Sequence, residues 1–274
     1  MAGGCADLPM ICGPSGNADC CASALVPGGT FNRSNDADFP ATVSDFRLDV
    51  YSVTVARFRQ FLVDYPGNLP EAGAGKNPND PADPGWNDAW ASSLPDDAGG
   101  WQNRFTCPDA TWTAEPGGNE ALPLNCVSWF AAQAFCIWDE GRLPTEAEWN
   151  YAAAGGAEQR VFPWSDPPTD TSVDGDHLVF NGDSIAVVGS KSPAGDGKWG
   201  HADLAGNVYD WVLDYFDAYP MPCVDCANHA VAALRGDRGG SYAHAEGNAR
   251  STARGQLQPT SGSGSVGFRC ARTP

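Results

Sequence analysis

The chain has 274 residues, with 34 Asp and Glu against 16 Lys and Arg, a net charge of −18, and 42% hydrophobic residues that include ten Trp, twelve Phe and seven Tyr. That apolar content excludes a disordered chain, and the acidic balance excludes a nucleic-acid partner, because binding phosphates needs a basic patch. No run approaches the roughly eighteen apolar residues that cross a bilayer, and charge spread along the chain predicts a solvated acidic surface on a monomer.

Ten cysteines, an even number, predict disulfides and an extracytoplasmic location, whether secreted, periplasmic or at the cell surface. The opening Met-Ala-Gly-Gly-Cys shows no apolar signal segment, so export is inferred from cysteine chemistry alone. Residues 1–24 carry Cys5, Cys12, Cys20 and Cys21 among small polar residues and read as a disulfide-stapled N-terminal extension. A bond between adjacent Cys20 and Cys21 would distort the peptide joining them; two bridges to Cys5 and Cys12 are expected, with the pairing open.

Residues 26–31 then read as a first strand. Val55, Phe58, Phe61, Leu62 and Tyr65 recur at helical spacing and predict a helix over residues 54–65. Residues 66–120 are rich in Pro, Gly, Asn and Asp yet hold Trp86, Trp90, Trp101 and Trp112, which predicts an ordered insertion pinned to the domain by its indoles. Residues 127–140 are almost wholly apolar and predict a buried helix stopping at Gly141. Thr145 and Glu148 form the Thr-x-x-Glu capping box of a second helix, running through Trp149 and Tyr151 to Gly155-Gly156. Short strands and loops follow.

Four stretches carry a resemblance: Gly141-Arg-Leu-Pro-Thr-Glu-Ala-Glu-Trp149, Asp203-Leu-Ala-Gly-Asn-Val-Tyr-Asp-Trp211, Arg238-Gly-Gly-Ser-Tyr242 and Gly267-Phe-Arg-Cys-Ala-Arg272. Over residues 25–272 the chain resembles the formylglycine-generating-enzyme (sulfatase-modifying factor) family. The resemblance implies an α+β domain over residues 25–274, related to C-type lectins and poor in regular secondary structure.

That family oxidises a sulfatase cysteine using two copper-binding cysteines that follow Gly-Gly-Ser-Tyr. Here His244 stands at the first position and about Ala249 at the second, and Tyr209 replaces a tryptophan near the site. Copper(I) wants soft thiolates, so neither copper nor formylglycine generation is expected. The family's calcium loop maps onto the side chains of Asp203 and Asp210 and the carbonyls of Gly206 and Val208, hard oxygens suited to that ion. A second calcium site is poorly matched, with only Asn181 and Asp196 as remnants. The resemblance also implies a disulfide between Cys136 and Cys270. The family's other bridge has lost both ends, at about Ala153 and Arg254, and Cys107 and Cys126 make a reasonable further pair. Cys223-x-x-Cys226-x-x-His229 lacks the four ligands of a structural zinc and reads as a local disulfide or two longer bridges.

The expected function is a calcium-stabilised binding or surface-display module whose protein, peptide or small-molecule ligand meets the face of Ser241, Tyr242, His244, Glu246, Asn248, Gln256 and Gln258. Two alternatives stand beside it. One is a cysteine-independent oxidase or oxygenase of the same family using iron or copper, although the four histidines (177, 201, 229 and 244) form no recognisable iron triad. The other is a retroelement-diversified ligand-binding protein, for which residues 260–265 are small and polar enough to vary.

Overall fold

The computed structural model describes Cys5 and residues 8–274. At the N-terminus the bridges are nested, Cys5 to Cys21 and Cys12 to Cys20, so the two adjacent cysteines take different partners. The stapled segment lies against the rest of the chain. Gly13 N donates to Val188 O at 2.9 Å, and Cys12 and Cys20 pack with Tyr51, Val188 and Ala202.

Residues 26–31 form no single strand. Strand β1 (Ser23–Val26) and strand β2 (Gly29–Asn32) are separate, since Pro27 has no N–H to continue a ladder. β2 pairs with β3 (Pro40–Val43) and β1 with β4 (Phe46–Asp49), both antiparallel. Helix α1 (Val55–Phe61) starts at Thr54, whose side chain accepts from Arg57 N, and stops short of the expected residue 65. Pro66 disfavours a helical Tyr65, and Asn68 Nδ2 takes the Phe61 carbonyl at 2.6 Å. In the 66–120 insertion, short helix α2 (Trp101–Arg104) sets Trp101 against Phe58 and Phe105, and Trp86, Trp90 and Trp112 join the same core.

Helix α3 (Trp129–Trp138), capped by Ser128, runs through that core with little side-chain exposure. Two indoles tie it to the strand beside it: Trp129 Nε1 donates to Val212 O at 2.8 Å and Trp211 Nε1 to Val127 O at 3.0 Å. The left-handed residue that ends it is Glu140, with φ 60°, and Gly141 N closes onto Cys136 O at 2.7 Å. Gly141 is required for space, because a Cβ there would lie 2.6 Å from Ala271 O. Helix α4 (Glu146–Ala153) carries the capping box, and Glu148 also receives Arg142 at 2.6 Å.

Four short strands and one longer one complete the chain: β5 (Tyr209–Tyr215), β6 (Arg235–Arg238), β7 (Gly255–Leu257), β8 (Val266–Gly267) and β9 (Ala271–Arg272). One sheet runs β7-β6-β5-β8; in another, β9 joins β4 and β1, bringing the two ends of the domain together. Beneath that junction Asp49 and Asp139 share Arg57 and Arg272 in a buried cluster, and the Cys136–Cys270 bridge links α3 to the residue before β9. Cys107–Cys126 and Cys223–Cys226 are also bridged, which leaves no cysteine free among the described residues. No helix among them is long and apolar enough to cross a membrane.

Candidate functional site

β6 ends at Arg238, where Arg238-Gly-Gly-Ser-Tyr242 begins, and the chain then folds back over β5. Ser241 and Tyr242 are buried, whereas His244, Glu246 and Asn248 are exposed. Ser241 Oγ lies 2.7 Å from His244 Nδ1, the His244 ring stands edge-on to Tyr209 at 5.3 Å, and the Tyr242 hydroxyl donates to Asp109 Oδ2 at 2.8 Å. From the other side, Asn181 N donates to His244 O at 2.8 Å and Gly182 N to Tyr242 O at 2.7 Å. The turn carrying His244 is therefore held by hydrogen bonds from Asn181, Gly182 and Ser241 while the residue itself stays exposed.

A cavity of about 220 Å³ opens beside that imidazole, lined among others by Tyr209, Asp237, His244, Gln256, Ser263 and Ser265. Asp237 is 4% exposed and makes no salt bridge among the described residues, and burial pushes its carboxyl up to about 7. Burial also pushes the Tyr209 hydroxyl up to about 12. The pocket so offers a carboxyl that titrates near neutrality, an imidazole and several hydroxyls to a polar ligand.

The structure divides the expected ligand face. His244 and Gln256 line this cavity, and Glu246, Asn248 and Gln258 are exposed outside its lining. Ser241 and Tyr242 are buried outside its lining; Ser241 Oγ bonds His244, and Tyr242 lines a different cavity of about 440 Å³ with Asp109 and Asp183. Asp237 escaped the sequence reading. Its one signal is Gly255, its partner across the β6–β7 ladder, where a Cβ would sit 1.9 Å from Asp237 Oδ1.

The loop of Asp203, Gly206 and Val208 leads into β5, whose second residue is Asp210. Left-handed residues at Asp203 (φ 52°), Gly206 (φ 79°) and Asn207 (φ 58°) curl it tightly. Asp203 Oδ2 accepts from Gly189 N at 2.6 Å, and burial pushes this carboxyl up to about 6. Asp210 is already engaged: Oδ2 takes Arg269 Nε at 2.6 Å and Trp149 Nε1 at 3.0 Å, and Oδ1 takes Ser52 Oγ at 3.3 Å. The oxygen donors fit a hard cation in kind, and an ion bound there would share Asp210 with Arg269. The remnants of the second loop serve locally, Asn181 through its backbone and Asp196 as acceptor for Ser192 Oγ at 2.6 Å.

Residues 12–274 match the family model described as the sulfatase-modifying factor enzyme 1-like domain, and the chain belongs to that family. It is 38% identical over 177 residues to a formylglycine-generating enzyme of Streptomyces coelicolor, covering 56% of this chain and 54% of that protein. Along most of its length, 93%, it is 28% identical to the inactive C-alpha-formylglycine-generating enzyme 2 of Bos taurus, covering 89% of that protein. A hercynine oxygenase of Mycolicibacterium smegmatis is 30% identical over 92% of this chain and 59% of its own. Among solved structures, PvdO from Pseudomonas aeruginosa superposes with a TM-score of 0.64 at 20% identity, covering all of this chain and 99% of that one. The family thus includes members with roles other than making formylglycine.

Proposed function

We propose that this protein is a calcium-stabilised binding module of an oxidising, extracytoplasmic compartment that does not carry out copper-dependent formylglycine generation. One observation carries the reading: His244 occupies the position where the resemblance places a copper-binding cysteine, and all ten cysteines are committed to disulfides. The cavity beside His244 has no thiol in its lining. What it does present, Asp237, His244, Tyr209 and Gln256, suits the recognition of a polar peptide or small molecule.

The similarity to hercynine oxygenase favours a second reading, an oxygenase using iron or copper. Its chemistry needs about three ligating side chains on one centre. The cavity beside His244 offers Asp237 and His244; the described residues bring three such groups together at Asp49, Asp139 and Cys270, where two arginines and a disulfide already take them.

Metal content of natively purified protein separates the two. Stoichiometric calcium without redox metal, with a chelator lowering the melting temperature, is the expected result. Stoichiometric iron or copper overturns the binding-module reading, and an unchanged melting temperature in chelator overturns its calcium component.

A further inference from the structure

Another cavity lies apart from the one beside His244 and shares no lining residue with it. It encloses about 620 Å³, and Trp86, Trp90, Trp129 and Tyr215 form its aromatic walls. The 66–120 insertion supplies the first two indoles, and α3 and β5 supply the other two rings. Trp86 meets Trp90 edge-on at 5.4 Å and Trp90 meets Trp129 at 5.1 Å, so the wall is rigid before any ligand arrives.

Arg235, at the start of β6, lines this cavity and is 3% exposed. Its guanidinium carbon lies 3.6 Å from the centre of the Trp129 ring and 3.4 Å from that of Tyr215, which covers the two faces of the cation. No carboxylate pairs with it among the described residues. Nη1 donates to Leu213 O at 2.6 Å; among the described residues, buried Nε has no acceptor and Nη2 makes no hydrogen bond. Elsewhere in the core the buried arginines Arg57, Arg142, Arg238 and Arg269 each hold a carboxylate, and Arg33, which holds none, has each of its three nitrogens on an acceptor, Nε on Phe39 O, Nη1 on Cys226 Sγ and Nη2 on Pro220 O. A buried guanidinium with an empty fork is costly unless something completes it.

Nε and Nη2 share one edge of the guanidinium plane, the edge whose two parallel N–H groups match a carboxylate. With both faces covered by rings, a ligand meets the guanidinium in its plane, and the Nε/Nη2 edge is the one on which neither nitrogen has a partner among the described residues. The geometry points to a binding site for a small aromatic monocarboxylate, its acid on the Nε/Nη2 edge of Arg235 and its ring against the indoles. Asp83 and Asp88 line the same cavity, which disfavours phosphates and other polyanions. Asp83 is itself spoken for, receiving Asn77 N at 2.7 Å and Gly85 N at 2.8 Å, and leaves Arg235 unpaired.

The test is calorimetric titration of the whole protein with 4-hydroxyphenylacetate and, in parallel, with its neutral amide. The acid is expected to bind at least about tenfold tighter than the amide, and R235K, which keeps the charge but loses the fork, to weaken the acid by about tenfold. Val231 also lines the cavity and is 86% exposed, so V231E alters no packing. It is expected to weaken the acid several-fold and leave the amide unchanged, and it decides the matter if R235K does not fold. Equal affinity for acid and amide, no saturation by roughly 10 mM, or acid binding unchanged in folded R235K or in V231E overturns the site.

Discussion

Arg269 Nε lies 2.6 Å from Asp210 Oδ2, with the two side chains at 0% and 1% exposure. The same guanidinium donates through Nη1 to Asp49 O and Val50 O, and through Nη2 to Ser52 Oγ, Ala202 O and Asp203 O. One side chain thus joins the residue before the Cys270 bridge, the turn after β4, and both ends of the proposed calcium loop. Removing either partner leaves a buried charge uncompensated. D210N and R269M are each expected to lose about 3–5 kcal/mol in denaturant unfolding, and the double variant less than the sum of the two. Additive losses in the double variant mean that the pair is not coupled.

The disulfides divide by the loops they close. Cys136–Cys270 spans 134 residues and Cys223–Cys226 spans three. On the loop-entropy account the long bridge stabilises the fold by about 5 kcal/mol and the short one by about 2 kcal/mol. C136A/C270A is expected to lower the melting temperature at least twice as far as C223A/C226A. Equal losses from the two pairs run against that account.

The capping box at Thr145 and the buried helix before Gly141 were legible because their signals are local: a four-residue hydrogen-bonding pattern, and a run with no polar face. The single strand expected over residues 26–31 was not, since β1 and β2 take different partners, β4 and β3, that only the tertiary fold supplies. The motif after β6 gave the position of His244, but not that Ser241 and Tyr242 lie beneath the surface it stands on. Arg235 was silent for the same reason. Its empty fork depends on Trp129 and Tyr215, which arrive from α3 and β5, more than a hundred and exactly twenty residues earlier in the chain respectively.

His244 is exposed; Asn181 N holds its carbonyl and Gly182 N that of Tyr242, both through backbone atoms, and its ring bonds Ser241 Oγ. H244A takes the ring partner from Ser241 Oγ and is expected to cost about 1 kcal/mol of stability. A ligand found for the cavity beside it is expected to bind at least about tenfold more weakly to H244A, read by calorimetry. Retained affinity moves recognition away from that cavity, and a large loss of stability gives His244 a structural role.

Asp237 makes the stability of the fold depend on pH in a way that one substitution isolates. Its carboxyl keeps its proton up to about 7 when folded, because of burial, against an ordinary value of 3.8. Between those values the folded state holds a proton that the unfolded state has released. Stability from this group is therefore greatest at the acid end of the window and falls as pH rises towards 7. His201 works in the opposite sense, since burial holds its ring at about 3 and the unfolded state protonates first as pH falls. The slope for the wild type mixes these with other buried carboxyls, among them Asp203 and Asp214, each pushed up to about 6 by burial, whereas the difference between wild type and D237N isolates Asp237. Asn keeps the size and cannot ionise, so D237N is expected to gain on the wild type steadily from about pH 4 to pH 7 and to hold a constant advantage on the order of 2–4 kcal/mol above it. The measurement is urea unfolding of both proteins at several pH values. A difference that does not change with pH means that Asp237 ionises in the folded protein as it does in the unfolded one, and that the cavity beside His244 reaches solvent far more freely than its 4% exposure indicates.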